Sequence, residues 1–92
     1  MTSSFTVFYS NKAKKFIQKK ADAKLRQRLL DLVGVLEESP VPSRAYDVRK
    51  LEGQDEFYRI RLSSYRVIYR VKWEEKEVDV LEIERRDEAT YK

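Results

Sequence analysis

Residues 57–71 read FYRIRLSSYRVIYRV, and the rest of the chain is understood from them. Aromatic and β-branched residues recur at every second position on both sides of Ser63-Ser64, which predicts two antiparallel strands around a two-residue turn. Tyr58, Ile60, Leu62, Tyr65, Val67 and Tyr69 then share one face, the buried one. With the turn symmetric about the serine pair, Arg61 stands opposite Arg66 and Arg59 opposite Ile68, with Arg70 beyond, all on the other face. Like charges directly opposed in an antiparallel pair are destabilising, in a setting where favourable pairs contribute roughly 0.2–1 kcal/mol. Folding has no use for such an arrangement, so an anion is expected to lie on it. Ser-Ser is not the Asn-Gly or Gly-X signal of a strong hairpin turn, and a slip of one residue would redistribute the arginines.

Upstream, Ala45 to Leu51 reads as a strand with Tyr46, Val48 and Lys50 at alternate positions, joined to the hairpin by Glu52-Gly53-Gln54-Asp55. Downstream, the run from Lys72 to Lys76 is a second turn. Val78 to Ile83 is the last strand, and its adjacent Val80 and Leu81 break strict alternation, which means either burial on both faces or a bulge. Ser39-Pro40-Val41-Pro42-Ser43 is a crossing loop, since proline removes a donor and forces the preceding residue out of the helical region. Before it come two helices. Asn11 to Lys20 carries Ala13, Phe16, Ile17 and Lys20 along one stripe, with Ser10 or Asn11 as its cap. Asp22 caps a second helix reaching Glu38, whose stripe is Leu25, Leu29, Leu32, Val33 and Leu36. Gly34 weakens that helix by about 1 kcal/mol relative to alanine and is expected to mark close packing. The short connection makes the two helices an antiparallel hairpin, and Thr6 to Tyr9 is a β-rich opening run. The fold class is therefore α+β: a helical hairpin packed on one face of a small, mostly antiparallel twisted sheet, in the order β-α-α-β-β-β. One domain over residues 1–92 is expected, because a second core would leave each half too small to offset chain entropy.

Twenty Lys and Arg against sixteen Asp and Glu give a formal charge of +4, a mild preference for phosphates or an acidic partner. Without cysteine or histidine, disulfides, thiolate metal sites and the usual histidine constellations are excluded, and no cofactor or metal is expected. No eighteen consecutive apolar residues occur and Met1 to Phe5 lacks a leader pattern, so a soluble cytoplasmic protein with no membrane contact is expected. Lys12, Lys14, Lys15, Lys19, Lys20, Lys24, Arg26 and Arg28 read as a solvated helix face, with phosphate contacts as the other reading. Trp73, in a turn, either covers a sheet edge or stacks on a base.

The run Lys50-Leu51-Glu52-Gly53, then YRIRL and YRVIYRV, then Arg85-Arg86 and the ending Tyr91-Lys92 resemble the RelE branch of the RelE/ParE toxin superfamily, its archaeal members above all. The resemblance covers nearly the whole chain. It implies a small toxin that enters the ribosomal A site, contacts ribosomal RNA, cleaves messenger RNA there as a metal-independent endoribonuclease, and is held inactive by a RelB-like antitoxin wrapped around it. Position by position, it implies catalytic roles for Arg59, Arg61, Arg66, Arg86 and Tyr91, with Arg85 as the alternative to Arg86 by one step of alignment. RNA-binding roles go to Lys50, Arg70 and Arg85. The chain departs from well-studied bacterial members in having arginine where they have lysine in the first strand of the hairpin. The ParE branch shares the fold but poisons DNA gyrase without this set of cations. A non-catalytic RNA- or protein-binding module is a third reading.

Metal-free RNA cleavage needs a base for the 2′-hydroxyl, positive charge on the phosphorane and an acid for the departing 5′-oxygen. Clustered guanidinium groups suit the second task, since they grip phosphate oxygens at two points and stay charged. With a pKa above about 12 they are poor bases near neutrality. Tyr91 is a base or stacking candidate, and Glu82, Glu84, Asp87 and Glu88 are carboxylates nearby in sequence, so the base is left unassigned. Alignment by the ribosome would supply much of the rate, as proximity and orientation contribute roughly 7–11 kcal/mol. Weak activity on free RNA follows.

Overall fold

The computed structural model describes residues 4–53 and 56–85. Arg86 and Tyr91, along with Asp87 and Glu88, lie outside the described residues. A strand, β1 (Thr6–Tyr9), leads into α1 (Asn11–Lys20) and α2 (Ala23–Glu38), which are followed by β2 (Asp47–Lys50), β3 (Phe57–Leu62), β4 (Tyr65–Lys72) and β5 (Glu77–Arg85). The five strands form one sheet in the order β1-β5-β4-β3-β2. All pairings are antiparallel except the short parallel pairing of β1 with β5.

The central hairpin forms in the expected register: Arg61 pairs with Arg66, Arg59 with Ile68 and Tyr58 with Tyr69. Its turn carries Ser63 at φ 58° while Ser64 keeps a negative φ. A positive φ at the first central position alone is the φ pattern of a type II′ turn, whose twist matches that of the strands it joins. Ser63 takes this conformation without glycine's freedom.

Alternation then sorts the side chains. Ile60, Leu62, Val67, Tyr69, Val71, Val78, Val80 and Ile83 are buried on one sheet face, beneath Leu25, Leu29, Leu32 and Leu36 of α2 and Ala13 of α1. Both helices thus cover the same face. Burying a side chain of this size contributes about 1.5–3 kcal/mol, so this layer holds the molecule together. The hydroxyl of Tyr69, fully buried, donates to the carbonyl of Pro40 at 2.7 Å and ties the crossing loop to the sheet. Burial, with a smaller contribution from Tyr58 stacked 5.7 Å away, pushes this phenol well above its ordinary range.

Ser10 joins three elements. Its side chain accepts from Ala13 N at 3.0 Å as the α1 cap and donates to Leu81 O at 2.6 Å, while its backbone N–H donates to Val80 O. Leu81 is the extra residue of a β-bulge: Tyr69 pairs with Val80 and Ile68 with Glu82, leaving Leu81 between. The doubled Val80-Leu81 is therefore a bulge, and Ser10 occupies it.

Three expectations need correction. Gly34 does not mark close packing, because a Cβ there would meet nothing within 4 Å. The strand expected over 45–51 is shorter at its start, since the N–H groups of Ala45 and Tyr46 both donate to Pro42 O and are lost to the sheet. Lys20 does not join the apolar stripe of α1 but is exposed. Trp73 meets Phe5 edge-on at 5.8 Å, covering the end of the sheet beside β1. No helix among the described residues is long and apolar enough to cross a membrane.

Candidate nucleic-acid interface

The sheet face turned away from the helices is lined by the other half of each strand. Strand register sets its side chains in rows. Asp47, Arg61, Arg66 and Glu84 form one, and Arg49, Arg59, Ile68 and Glu82 the next. A third row runs from Phe57 through Arg70 and Asp79 to Phe8. Arg59, Arg61 and Arg66 thus occupy adjoining positions at the centre, with carboxylates on both flanks.

The flanking acids neutralise this centre unevenly. Asp47 lies 3.6 Å from Arg49 Nε and 3.9 Å from Arg61 Nη1, long contacts between half-exposed groups that contribute little. Arg70 is engaged more fully: its Nε and Nη2 donate to Glu56 Oε1 at 3.1 and 3.0 Å, and its guanidinium lies 5.7 Å from the Phe57 ring centre. Lys72 takes Asp79 at 3.2 Å, and Lys12 of α1 reaches Glu82 at 3.2 Å. Arg59 and Arg66 differ from all of these. The Nε of each is buried and has no hydrogen-bond partner. Leaving a buried donor unpaired costs about 1–3 kcal/mol, and more when the group is charged. Both donors belong to guanidinium groups on the sheet face away from the helices, which carry permanent charge and can grip an oxyanion at two points.

Of the residues singled out from the sequence, Arg59, Arg61 and Arg66 come together, and Arg70 adjoins them while held by Glu56. Lys50 and Arg85 do not reach this face. Lys50 pairs with Tyr58 and Arg85 with Tyr65, residues of the helix-side face, so alternation turns both away. Arg85 instead lines a cavity of about 210 Å³ between the Ser63-Ser64 turn and the start of α2, together with Lys24, Arg28 and Tyr65. Sequence reasoning missed the Glu56 clamp on Arg70 and the Asp47 bridge between Arg49 and Arg61. Asp47 was legible, at the alternate position before Arg49. Glu56 was not, since it sits in the turn before β3 and reaches Arg70 only through the fold.

Comparison with known proteins bears on the family and the fold. Residues 7–90 match the family described as the ParE toxin of the type II toxin-antitoxin system, parDE. A Methanocaldococcus jannaschii protein described as toxin RelE1 is 35% identical over 63 residues, covering 68% of this chain and 70% of that protein. Among solved structures, the archaeal RelE-RelB complex from Pyrococcus horikoshii superposes with a TM-score of 0.79 at 38% identity, covering 90% of this chain and 96% of that one. The intact E. coli RelBE toxin-antitoxin complex gives 0.71 at 29%, covering 91% and 99%. The fold, the site and these likenesses together lead to one assignment: the chain belongs to the RelE/ParE superfamily of type II toxin-antitoxin toxins, on its RelE branch.

Proposed function

We propose that this toxin is a metal-independent endoribonuclease that cleaves messenger RNA in the ribosomal A site, acting as a single domain over residues 1–92 in the cytoplasm. The observation that carries this reading is the clustering of Arg59, Arg61 and Arg66 at adjoining positions on the sheet face away from the helices, two of them with an unpartnered Nε. A phosphate gripped by the guanidinium Nη groups would lift the repulsion between Arg61 and Arg66, and a small turn of either buried Nε towards it would satisfy that donor. Charge developing on a phosphorane would be stabilised most, because the donors are already in place. Arg86 and Tyr91 enter this proposal from the family resemblance alone, as does the contact with ribosomal RNA. Lys50 and Arg85, placed on the helix side, would serve as peripheral RNA contacts.

A RelB-like antitoxin is the proposed partner, in keeping with the RelE-RelB complexes that the chain resembles. The match to a ParE description supports a second reading, a poison of DNA gyrase. Mapping messenger RNA ends in a translating extract separates them. Codon-phased cuts are expected; DNA breaks without RNA cuts would transfer the toxin to the gyrase reading, and neither would leave a binding module only.

A further inference from the structure

The arginines supply charge but no proton acceptor, and the chain has no histidine. Carboxylates flank the face, and most are already engaged. Asp47 is shared between Arg49 and Arg61, Glu56 holds Arg70, Asp79 holds Lys72 and Glu82 holds Lys12. Glu84 is different. It is half-buried on β5 and pairs in register with Arg66. No hydrogen bond or ion pair holds it among the described residues. It thus flanks the row that contains both opposed arginines, while Glu82 stands opposite Ile68, one row away.

We infer that Glu84 is the general base that takes the 2′-hydroxyl proton, an inference that rests on the endoribonuclease reading above. Neighbouring strands lie about 4.8 Å apart, so a phosphate seated over Arg66, the middle residue of the row Arg61-Arg66-Glu84, lies about one strand spacing from Glu84. That is the scale of the step from a scissile phosphate to the adjoining ribose hydroxyl. The Glu84 carboxylate accepts the proton as the 2′-oxygen bonds to phosphorus. The P–O5′ bond breaks, leaving a 2′,3′-cyclic phosphate, and the departing 5′-oxygen takes a proton by way of solvent while Glu84 returns its own. No water is consumed and no electron changes hands. Glu84 lies next to the charge it must not quench: with no ion pair to Arg66, both groups stay open to substrate.

The test is single-turnover cutting of messenger RNA on programmed ribosomes across a pH series, with wild type, Glu84→Gln and Glu84→Asp. Glu84→Gln is expected to cut about 10²-fold or more slowly, the usual worth of a positioned base, while retaining its affinity for the ribosome. Wild type is expected to lose rate towards acid pH, and Glu84→Gln to lack that limb and gain rate with hydroxide instead. Glu84→Asp is expected to keep the limb at a reduced rate, which decides the matter should the glutamine variant fail to fold. Wild type that cuts alongside an undiminished Glu84→Gln would overturn the base assignment alone. So would a slow Glu84→Gln with the wild-type pH profile, or a folded Glu84→Asp without the acid limb. A wild type that never cuts would remove the endoribonuclease reading itself.

Discussion

At the scale of single residues, the site and the fold make opposite demands on the same strands. Arg66 faces Arg61 across the hairpin and buries an unpaired Nε, so it opposes folding, and under the proposed function it serves anion binding. Arg66→Gln is therefore expected to raise the unfolding free energy by roughly 0.2–1 kcal/mol in urea titrations while lowering cutting on ribosomes about 10²-fold or more. Tyr69 is the reverse case, a polar group wholly in the service of the fold. Tyr69→Phe leaves the Pro40 carbonyl without its donor and is expected to cost about 1–3 kcal/mol. The same substitution has a pH signature. Burial raises the Tyr69 phenol above its ordinary value, so the unfolded chain releases that proton first as pH rises. The contribution is complete below about pH 10 and is lost on the way up to the raised value. Between pH 10 and 11 the wild type should lose about 1 kcal/mol more stability than Tyr69→Phe, which chemical denaturation at the two pH values measures.

At the scale of elements, the hairpin was legible because period two is a strong signal over fifteen residues and the serine pair divides it evenly. Arg59, Arg61 and Arg66 fell on one face for that reason alone. The helices were equally legible from their apolar spacing and from their caps, Asp22 for α2 and Ser10 or Asn11 for α1, of which the structure selects Ser10. What the pattern could not reveal was how one element meets another. The Val80-Leu81 doublet announced an irregularity, but only the fold shows Ser10 bonded to the Leu81 carbonyl. Ser10→Ala removes a helix cap and a bulge partner together, and is expected to cost about 1–2 kcal/mol in thermal or urea unfolding. Gly34 misled for a related reason: a glycine in a helix invites an argument from packing, yet the space beside it is open. Gly34→Ala is expected to stabilise by about 1 kcal/mol, read by the same unfolding experiments.

At the scale of the whole molecule, alternation assigns faces but not neighbours. The parallel seating of β1 on β5, which places α1 beside the bulge, follows from the closing of the core and is not written in any one strand. The acid that engages Arg70 was hidden likewise, because Glu56 sits in a turn and meets the arginine only in the assembled sheet, whereas Asp47 could be placed on the right face but not against Arg61. Lys50 and Arg85 are a different case, since alternation alone turns both to the helix side, and only a count of basic residues groups them with the others. The molecule's charge is thus divided between a solvated helix face and a central cluster on the opposite face of the sheet. The most direct test of that division is the salt dependence of binding to a short single-stranded RNA, comparing wild type with Arg59→Gln/Arg66→Gln and with Lys14→Gln/Lys15→Gln. Each phosphate contact on a single strand contributes about −0.7 to the slope of log K against log salt concentration. The double arginine variant is expected to reduce the slope by about 1.4 and the double lysine variant to leave it unchanged; a slope carried by the lysines and indifferent to the arginines would contradict the account.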